Sequence, residues 1–301
     1  MHAPELKEGW ALVLAAGEGS RLASLTQAAT GDPVPKQFCA FGGEVSLLER
    51  TLDRAAAIVD PRRIVTVVHR AHRRWWGPLF ADVARSSVIV QPSNRGTAIG
   101  ILLPLLAIAR RDPGAVVVIL PTDHYVGDEG ALRATIAAAF RHAGDDGVIL
   151  LGITPEGPET SYGYIVPELG SAGRPHRVRR FVEKPAIAAA RRLLDEGALW
   201  SSFLFVGRVG AYIDLIREAL PGLVDALAPL VSAADEGAPI DALYASTPSR
   251  DFSRDVLERG VDRLRVLAVP RCGWVDLGEP ERLLRTLPRL RRAEARTGTL
   301  G

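Results

Sequence analysis

The chain has 301 residues, 47% hydrophobic and 24% charged, with a formal charge of only +2. That is the make-up of an ordinary globular protein, long enough for one large α/β domain or two small ones, and it carries no global basic field for nucleic acid. No apolar run reaches the roughly 18 residues of a membrane span, the start of the chain lacks the apolar core of a signal peptide, and Cys39 and Cys272 match no metal or disulfide framework, so a reducing cytoplasm and no membrane partner are expected.

Residues 1–9 read as a loose tail. Trp10 to Ala16 is an apolar run with the density of a buried parallel strand. It breaks into Gly17-Glu18-Gly19-Ser20-Arg21, and a polar loop leads on to Pro35-Lys36-Gln37-Phe38. Ala16, Gly17, Gly19 and Ser20 would let backbone N–H groups approach a ligand closely, and Arg21 and Lys36 bring positive charge to the same place, which suits a polyphosphate. A plain strand–turn connection is the competing reading. The dinucleotide fingerprint fails because Leu22 stands where its third glycine belongs, and the P-loop fails because Lys36 comes far too late. Of the 37 Lys and Arg residues only Lys7, Lys36 and Lys184 are lysines. A compact ammonium is not interchangeable with a planar guanidinium, which singles out Lys36 and Lys184.

Helical spacing predicts helices over 45–59, 71–83, 98–110 and 128–143, alternating with strands over 63–68, 87–91, 115–120 and 147–153. Such alternation implies a parallel sheet with right-handed crossovers and helices on both faces. Trp75 and Trp76 should pack locally. The second half changes texture. Short antiparallel strands are expected over 162–166 and 178–182, and further strands over 199–206 and 264–269. Helices are expected over 186–196, 208–220, 224–234, 240–246 and 280–296. With no low-complexity linker, residues 10–301 read as one continuous body. Residues 10–150 would be its nucleotide-binding half, 151–279 would close over a second substrate, and 280–301 would be a terminal helix.

In open α/β sheets ligands bind beyond the carboxyl ends of the strands, so the loops there matter most. Gln91, Asn94 and Thr97 offer donors and acceptors for the edge of a purine, and Gly96 allows close approach. The same stretch also reads as a helix N-terminus with Thr97 as its cap, and the two are compatible. Asp123 ends a wholly apolar strand, where a carboxylate is costly to bury without a partner. Beside a triphosphate that partner would be Mg²⁺; otherwise Asp123 caps the next helix. His124 is left out of the metal site. Further on, Tyr162-Gly163-Tyr164 reads as a strand with a Gly/Pro turn before it. Glu183-Lys184 is either a surface ion pair or a carboxylate for sugar hydroxyls beside an ammonium for a phosphate.

Taken in order, these stretches resemble the sugar-nucleotidyltransferases, the NDP-sugar pyrophosphorylases. The resemblance rests on Gly-x-Gly-x-Arg-Leu with Pro-Lys-Gln-Phe, Gln-Pro-x-Asn-Arg-Gly-Thr-Ala from Gln91, Tyr-Gly-Tyr-Ile from Tyr162, Phe-x-Glu-Lys-Pro from Phe181, and Trp-x-Asp-x-Gly from Trp274. It is closest to the mannose-1-phosphate guanylyltransferase branch and covers about 10–278. It implies a Rossmann-like α/β fold with a mixed, mostly parallel sheet flanked by helices. It also implies small-molecule substrates, an NTP and a sugar 1-phosphate, with GTP and mannose 1-phosphate as the first guess. Arg21 and Lys36 would hold the triphosphate, Asp123 and Asp276 would hold Mg²⁺, and Lys184 would hold the incoming phosphate. Gly163 would approach the sugar ring, with Tyr162, Glu183 and Ser201 beside it. The segment 251–256 resembles a family stretch only loosely.

One departure stands out. Trp200-Ser201-Ser202-Phe203 takes the place of the family's Trp-Asn-Ser-Gly. Serine lacks the amide's donor and acceptor, and Phe203 puts a bulky ring where the family has none. A different sugar or base therefore stays open, as does a non-catalytic ligand sensor on the same fold. An NDP-sugar-consuming glycosyltransferase is disfavoured, because Asp123-His124-Tyr125 is not an Asp-x-Asp motif. The length leaves no room for an appended β-helix or isomerase domain, and a homodimer is the assembly left open.

Overall fold

The computed structural model describes residues 4–19, 22, 25–27, 34–41, 43–144, 147–168, 170, 173–235 and 241–297. Ser20 and Arg21 lie outside them. Strand β1 (Trp10–Ala15) is buried along nearly its whole length. Its alternate residues feed opposite faces: Trp10 and Leu12 enter one core, Ala11, Val13 and Ala15 the other. A strand covered on both faces reads as a continuous apolar run, which is why it stood out in the sequence.

β1 pairs in parallel with β2 (Ile64–His69) on one side and β4 (Val116–Pro121) on the other, and β2 pairs with β3 (Val88–Gln91). These four strands follow the expected alternation with α1 (Leu47–Ala56), α2 (Arg73–Leu79), α3 (Thr97–Arg111) and α4 (Glu129–Arg141). A capping box starts α1: Glu49 N–H donates to Ser46 Oγ at 3.3 Å, and Ser46 N–H donates back to the Glu49 carboxylate at 2.8 Å. The next strand of the alternation, β6 (Val148–Ile153), does not join β4 directly. Strand β9 (Leu199–Arg208) inserts between them, antiparallel to both. Beyond β6 come β10 (Leu264–Val269), β8 (His176–Glu183) and β7 (Gly163–Pro167), so the nine-stranded sheet runs β3-β2-β1-β4-β9-β6-β10-β8-β7. β7 and β8 are antiparallel, as the polar turn between them predicted. The fold is a mixed α/β sheet flanked by helices. The insertion of β9 was not visible in the chain, because periodicity reports which faces are buried and not which strand is the neighbour.

Cores lie on both faces. α3 is apolar all round and packs between the sheet and the pair α5 and α6 of its covering layer, where α5 is Val209–Ala219 and α6 is Leu223–Asp235. Such a helix is buried rather than amphipathic. Pro4–Glu8 forms a 3₁₀ turn, with Leu6 against the second core, where a loose tail was expected. Trp75 stacks on Phe38 with ring centroids 6.0 Å apart, and Trp76 Nε1 donates to the His69 carbonyl. Among the described residues, no helix is long and apolar enough to cross a membrane.

The loop between β3 and α3 is clamped from far away in sequence. Ala98 N–H donates to the Arg250 carbonyl at 3.0 Å, and Arg250 N–H donates to the Arg95 carbonyl at 3.0 Å. Gly96 has φ +84°, and a Cβ there would stand 2.2 Å from the Arg250 oxygen. Thr97 is therefore not the cap: Gly96 takes that position, and the Thr97 hydroxyl accepts from Phe252 N–H at 2.7 Å. Gly96→Ala adds both a left-handed alanine and a clash with backbone. It should cost more than about 2 kcal/mol, read from the urea midpoint. An unchanged midpoint would show that the clamp is dispensable.

Candidate functional site

The carboxyl ends of β1, β3 and β4 open on one cavity of about 500 Å³, which reaches across to β7, β8 and β9. Every described residue assigned to the site from sequence lines it: Ala16, Gly17, Gly19, Lys36, Gln91, Asn94, Gly96, Thr97, Asp123, Tyr162, Gly163, Glu183, Lys184, Ser201 and Asp276. They come from separate stretches of the chain, so their meeting is a property of the fold.

The 3₁₀ turn Lys36–Phe38 organises the part of the cavity beside the ends of β1 and β4. Lys36 Nζ donates to Asp123 Oδ2 at 2.5 Å. The neighbouring Gln37, 1% exposed, donates its amide to the carbonyls of Ala15 at 3.0 Å and Gly17 at 2.8 Å. Gly19, at φ +67°, lets the loop pass over Lys36; a Cβ there would sit 2.9 Å from the Lys36 nitrogen. Gln37 was not singled out in the sequence, although its neighbours were.

Asp123 and Asp276 are separated by more than 150 residues. Two short strands, β5 (His124–Tyr125) and β11 (Val275–Asp276), pair antiparallel and place Asp276 opposite His124. Leu277 N–H also donates to the Asp123 carbonyl at 2.8 Å. The pairing joins two segments of the chain that are far apart in sequence. Ligand atoms of Asp123, His124 and Asp276 all lie within 4.8 Å of one another. Two carboxylates suit a hard divalent cation, whereas an imidazole nitrogen suits it less well. The cluster can therefore hold a metal through its two aspartates. His124 packs edge-on against Trp274 at 5.1 Å, with Nε2 3.8 Å from Asp123. It is closer to the metal position than its omission from the site implied.

Burial alone would push the Asp123 carboxyl up, but the Lys36 ammonium and His124 beside it outweigh that and hold it well below the usual carboxylate range. Burial is also the main reason why the His124 imidazole is pushed down, against the pull of Asp123 and Asp276. On the far side of Asp276 stands Arg282, which sequence reading did not single out. It donates to the Asp276 carboxylate at 3.1 Å and carbonyl at 3.0 Å, to Ser161 Oγ at 2.7 Å, and lies 4.7 Å over the Tyr162 ring.

At the end of β3, Gln91 is 3% exposed and lines the cavity, and its Nε2 finds no hydrogen-bond partner among the described residues. Asn94 is already engaged: its amide donates to Glu18 at 3.2 Å, and its oxygen accepts from Gly96 N–H at 2.9 Å. On the opposite side, a Cβ on Gly163 would stand 2.7 Å from Glu183 Oε2 and 3.2 Å from the Ser201 Cβ. Gly163, Glu183 and Ser201 thus form one small patch. Lys184 follows with φ +49° and donates to Glu183 Oε1 at 2.7 Å. Phe203 has φ +55°, so the backbone keeps a conformation natural to glycine while carrying a phenyl ring. Left-handed geometry at a bulky residue costs roughly 1–2 kcal/mol, and such strain gathers at functional sites.

A sequence model of the nucleotidyl transferase family matches residues 10–292. The chain belongs to that family. Among curated relatives of this nucleotidyl transferase, the xanthan biosynthesis protein XanB of Xanthomonas campestris is 32% identical over 281 residues. That match takes in 91% of this chain and 58% of XanB. The mannose-1-phosphate guanylyltransferase of Escherichia coli (strain K12) is 30% identical, over 89% of this chain and 57% of its own length. The chain thus spans little more than half the length of these relatives. A crystal structure described as mannose-1-phosphate geranyltransferase from Thermus thermophilus superposes with a TM-score of 0.77 at 33% identity. The superposition covers 90% of this chain and 76% of that one.

The depressed carboxyl gives a signed expectation. A carboxylate whose folded value lies below its unfolded 3.8 adds stability above that pH and loses it as the pH falls. The stability difference between wild type and Asp123→Asn, measured by urea unfolding, should therefore be largest near neutrality and shrink below about pH 4. A difference that stays constant down to about pH 2.5 would mean that the Lys36 pair does not hold the charge.

Proposed function

We propose that the protein transfers a nucleotidyl group from an NTP to a sugar 1-phosphate, giving an NDP-sugar and pyrophosphate, with GTP and mannose 1-phosphate as the first pair to test. The observation that carries this reading is the layout of the one cavity. The carboxylate pair and Lys36 line it beside the ends of β1 and β4 and would take the nucleotide, while the Glu183-Lys184-Gly163-Ser201 patch lines it at β7, β8 and β9 and would take the sugar phosphate. The family membership and the names of the relatives support it. The unpartnered, buried Gln91 amide supports recognition of a base edge, because an unmet buried donor is costly until a ligand meets it.

An oxygen of the sugar phosphate attacks the α-phosphorus. The bond from that phosphorus to the bridging oxygen breaks on the opposite side, and pyrophosphate leaves with the electron pair. No proton must be abstracted from a phosphate dianion, so the protein's work is alignment and charge neutralisation. Lys36 and Arg21 would hold the triphosphate, and the backbone N–H groups of 16–20 would line it. Lys184 would neutralise the incoming phosphate, its left-handed backbone turning the ammonium back over Glu183. Glu183 would accept from sugar hydroxyls, with Tyr162, Gly163 and Ser201 forming the rest of the ring's surroundings. Asp123 and Asp276 would hold Mg²⁺, which when bound supplies charge neutralisation at the α-phosphate. A different sugar 1-phosphate is the second reading, favoured by Ser201 and Phe203 facing the cavity.

A matrix of NTPs against sugar 1-phosphates, read by pyrophosphate release, tests the proposal; no turnover with any pair would sink it. Asp123→Asn should lower kcat by about 10²-fold or more in a folded protein. EDTA should abolish turnover and Mg²⁺ restore it. Lys184→Ala should raise the KM for the sugar phosphate by about tenfold or more while leaving the KM for the NTP within about threefold. Equal effects on both substrates would remove Lys184 from the sugar side.

A further inference from the structure

The strand that carries Ser201 is irregular where it meets the cavity. Along β9, Ser201 pairs with Gly152 and Phe205 with Leu150, so Ser202, Phe203 and Leu204 face Leu151 alone. Two residues are therefore extra on β9. The bulge is pinned by Ser202, 1% exposed, whose hydroxyl donates to the Leu151 carbonyl at 2.6 Å and accepts from Leu204 N–H at 3.2 Å. Bulges of this kind re-aim one side chain, often beside a binding site. The re-aimed residue here is Phe203, in the left-handed region at φ +55°.

Its ring is partly covered. It packs on Phe205 with centroids 5.0 Å apart and on Phe252 at 6.3 Å, and both of those rings are fully buried. The part of Phe203 left uncovered lines the cavity beside Ser201 and Ser202. The Ser201 hydroxyl accepts weakly from Phe203 N–H at 3.4 Å. The sugar side of the cavity thus combines a polar patch, Glu183 and Ser201, with aromatic groups, Tyr162 and, on the bulge, Phe203. Packing alone would not demand this: a smaller residue with natural left-handed geometry would cover the two buried rings less well but would remove the strain.

We propose that Phe203 is a specificity-determining residue of the sugar site, selecting a sugar 1-phosphate that turns C–H groups or a deoxygenated carbon toward its ring. This rests on the nucleotidyl-transfer reading. A phenyl face offers no hydrogen bond. A hydroxyl pressed against it gives up water without a replacement, whereas C–H groups gain contact. An apolar wall rejects an added hydroxyl only modestly, about as strongly as it registers one methylene, so this wall can discriminate by about tenfold to a hundredfold.

Phe203→Gly and Phe203→Asn test it, because both residues tolerate the left-handed backbone and should keep the bulge. Pyrophosphate release is measured for wild type and both variants with a panel of hexose 1-phosphates and their mono-deoxy analogues, and separately with a panel of NTPs. Turnover by the wild type with any sugar 1-phosphate upholds the parent reading by itself. The expected result is a shift of at least about tenfold in the deoxy-to-parent ratio of kcat/KM toward the fully hydroxylated sugars. It should be largest for Phe203→Asn, which adds hydrogen-bonding groups, with NTP preference unchanged. Two results would overturn the proposal: sugar ratios within about twofold of wild type in both folded variants, or a change in NTP preference without one in sugar preference.

Discussion

A carboxylate at the end of an apolar strand cannot stand alone, and the arrangement around Asp123 follows from that requirement. Its charge is met by the Lys36 ammonium at 2.5 Å, which fixes the 3₁₀ turn that carries Lys36. The same turn directs Gln37 into the glycine loop and Phe38 onto Trp75. One ion pair therefore sets the glycine loop after β1, the end of β4 and the packing of α2 together. A half-buried pair of this kind gains little over a hydrophobic substitute, but breaking one side of it is expensive. It acts as a register mark for the site more than as a source of stability.

The second requirement is that two acids approach each other without mutual repulsion. The β5–β11 pairing brings Asp276 near Asp123, and Arg282 takes up part of its charge from behind. Arg282 is in turn held by Ser161, Glu159 and the face of Tyr162. The residue that neutralises Asp276 is thus tied to the segment that leads into β7. Tyr162 and Trp274, with rings 5.4 Å apart, both line the cavity, and Arg282 backs them from outside it by lying over the Tyr162 ring.

Much of this was legible in the sequence, because the relevant signals are local. The buried parallel strands announced themselves as unbroken apolar runs, and the loops that follow them carried the glycines, lysines and acids. Reading the ends of strands located Gly17, Gly19, Gln91, Asn94, Gly96, Thr97 and Asp123 in the cavity lining, whereas Tyr162, Gly163, Ser201 and Asp276 came from the family resemblance. What stayed hidden was relational. Neither the insertion of β9 nor the pairing of Asp276 with His124 has a local pattern. Gln37 and Arg282 act by filling needs that other residues create: loop carbonyls in one case, a crowded carboxylate in the other. The tail and the Thr97 cap were misread for the same reason. Leu6 finds a core, and Thr97 finds Phe252, only once the chain is folded.

The place of β9 has a consequence for how the chain is made. β4 pairs with β1 on one side, but its other edge is filled only by β9, whose residues end at Arg208. During synthesis from the N-terminus, β1 to β4 can assemble as soon as Pro121 has emerged, leaving one long, apolar edge unpaired. The chain from there to Arg208, including β6, must emerge before the partner strand is complete. β6 cannot take that place without shutting β9 out of the sheet. The nascent chain therefore passes through an interval with an open edge suited to mispairing, and an apolar edge of that sort is where holding chaperones act.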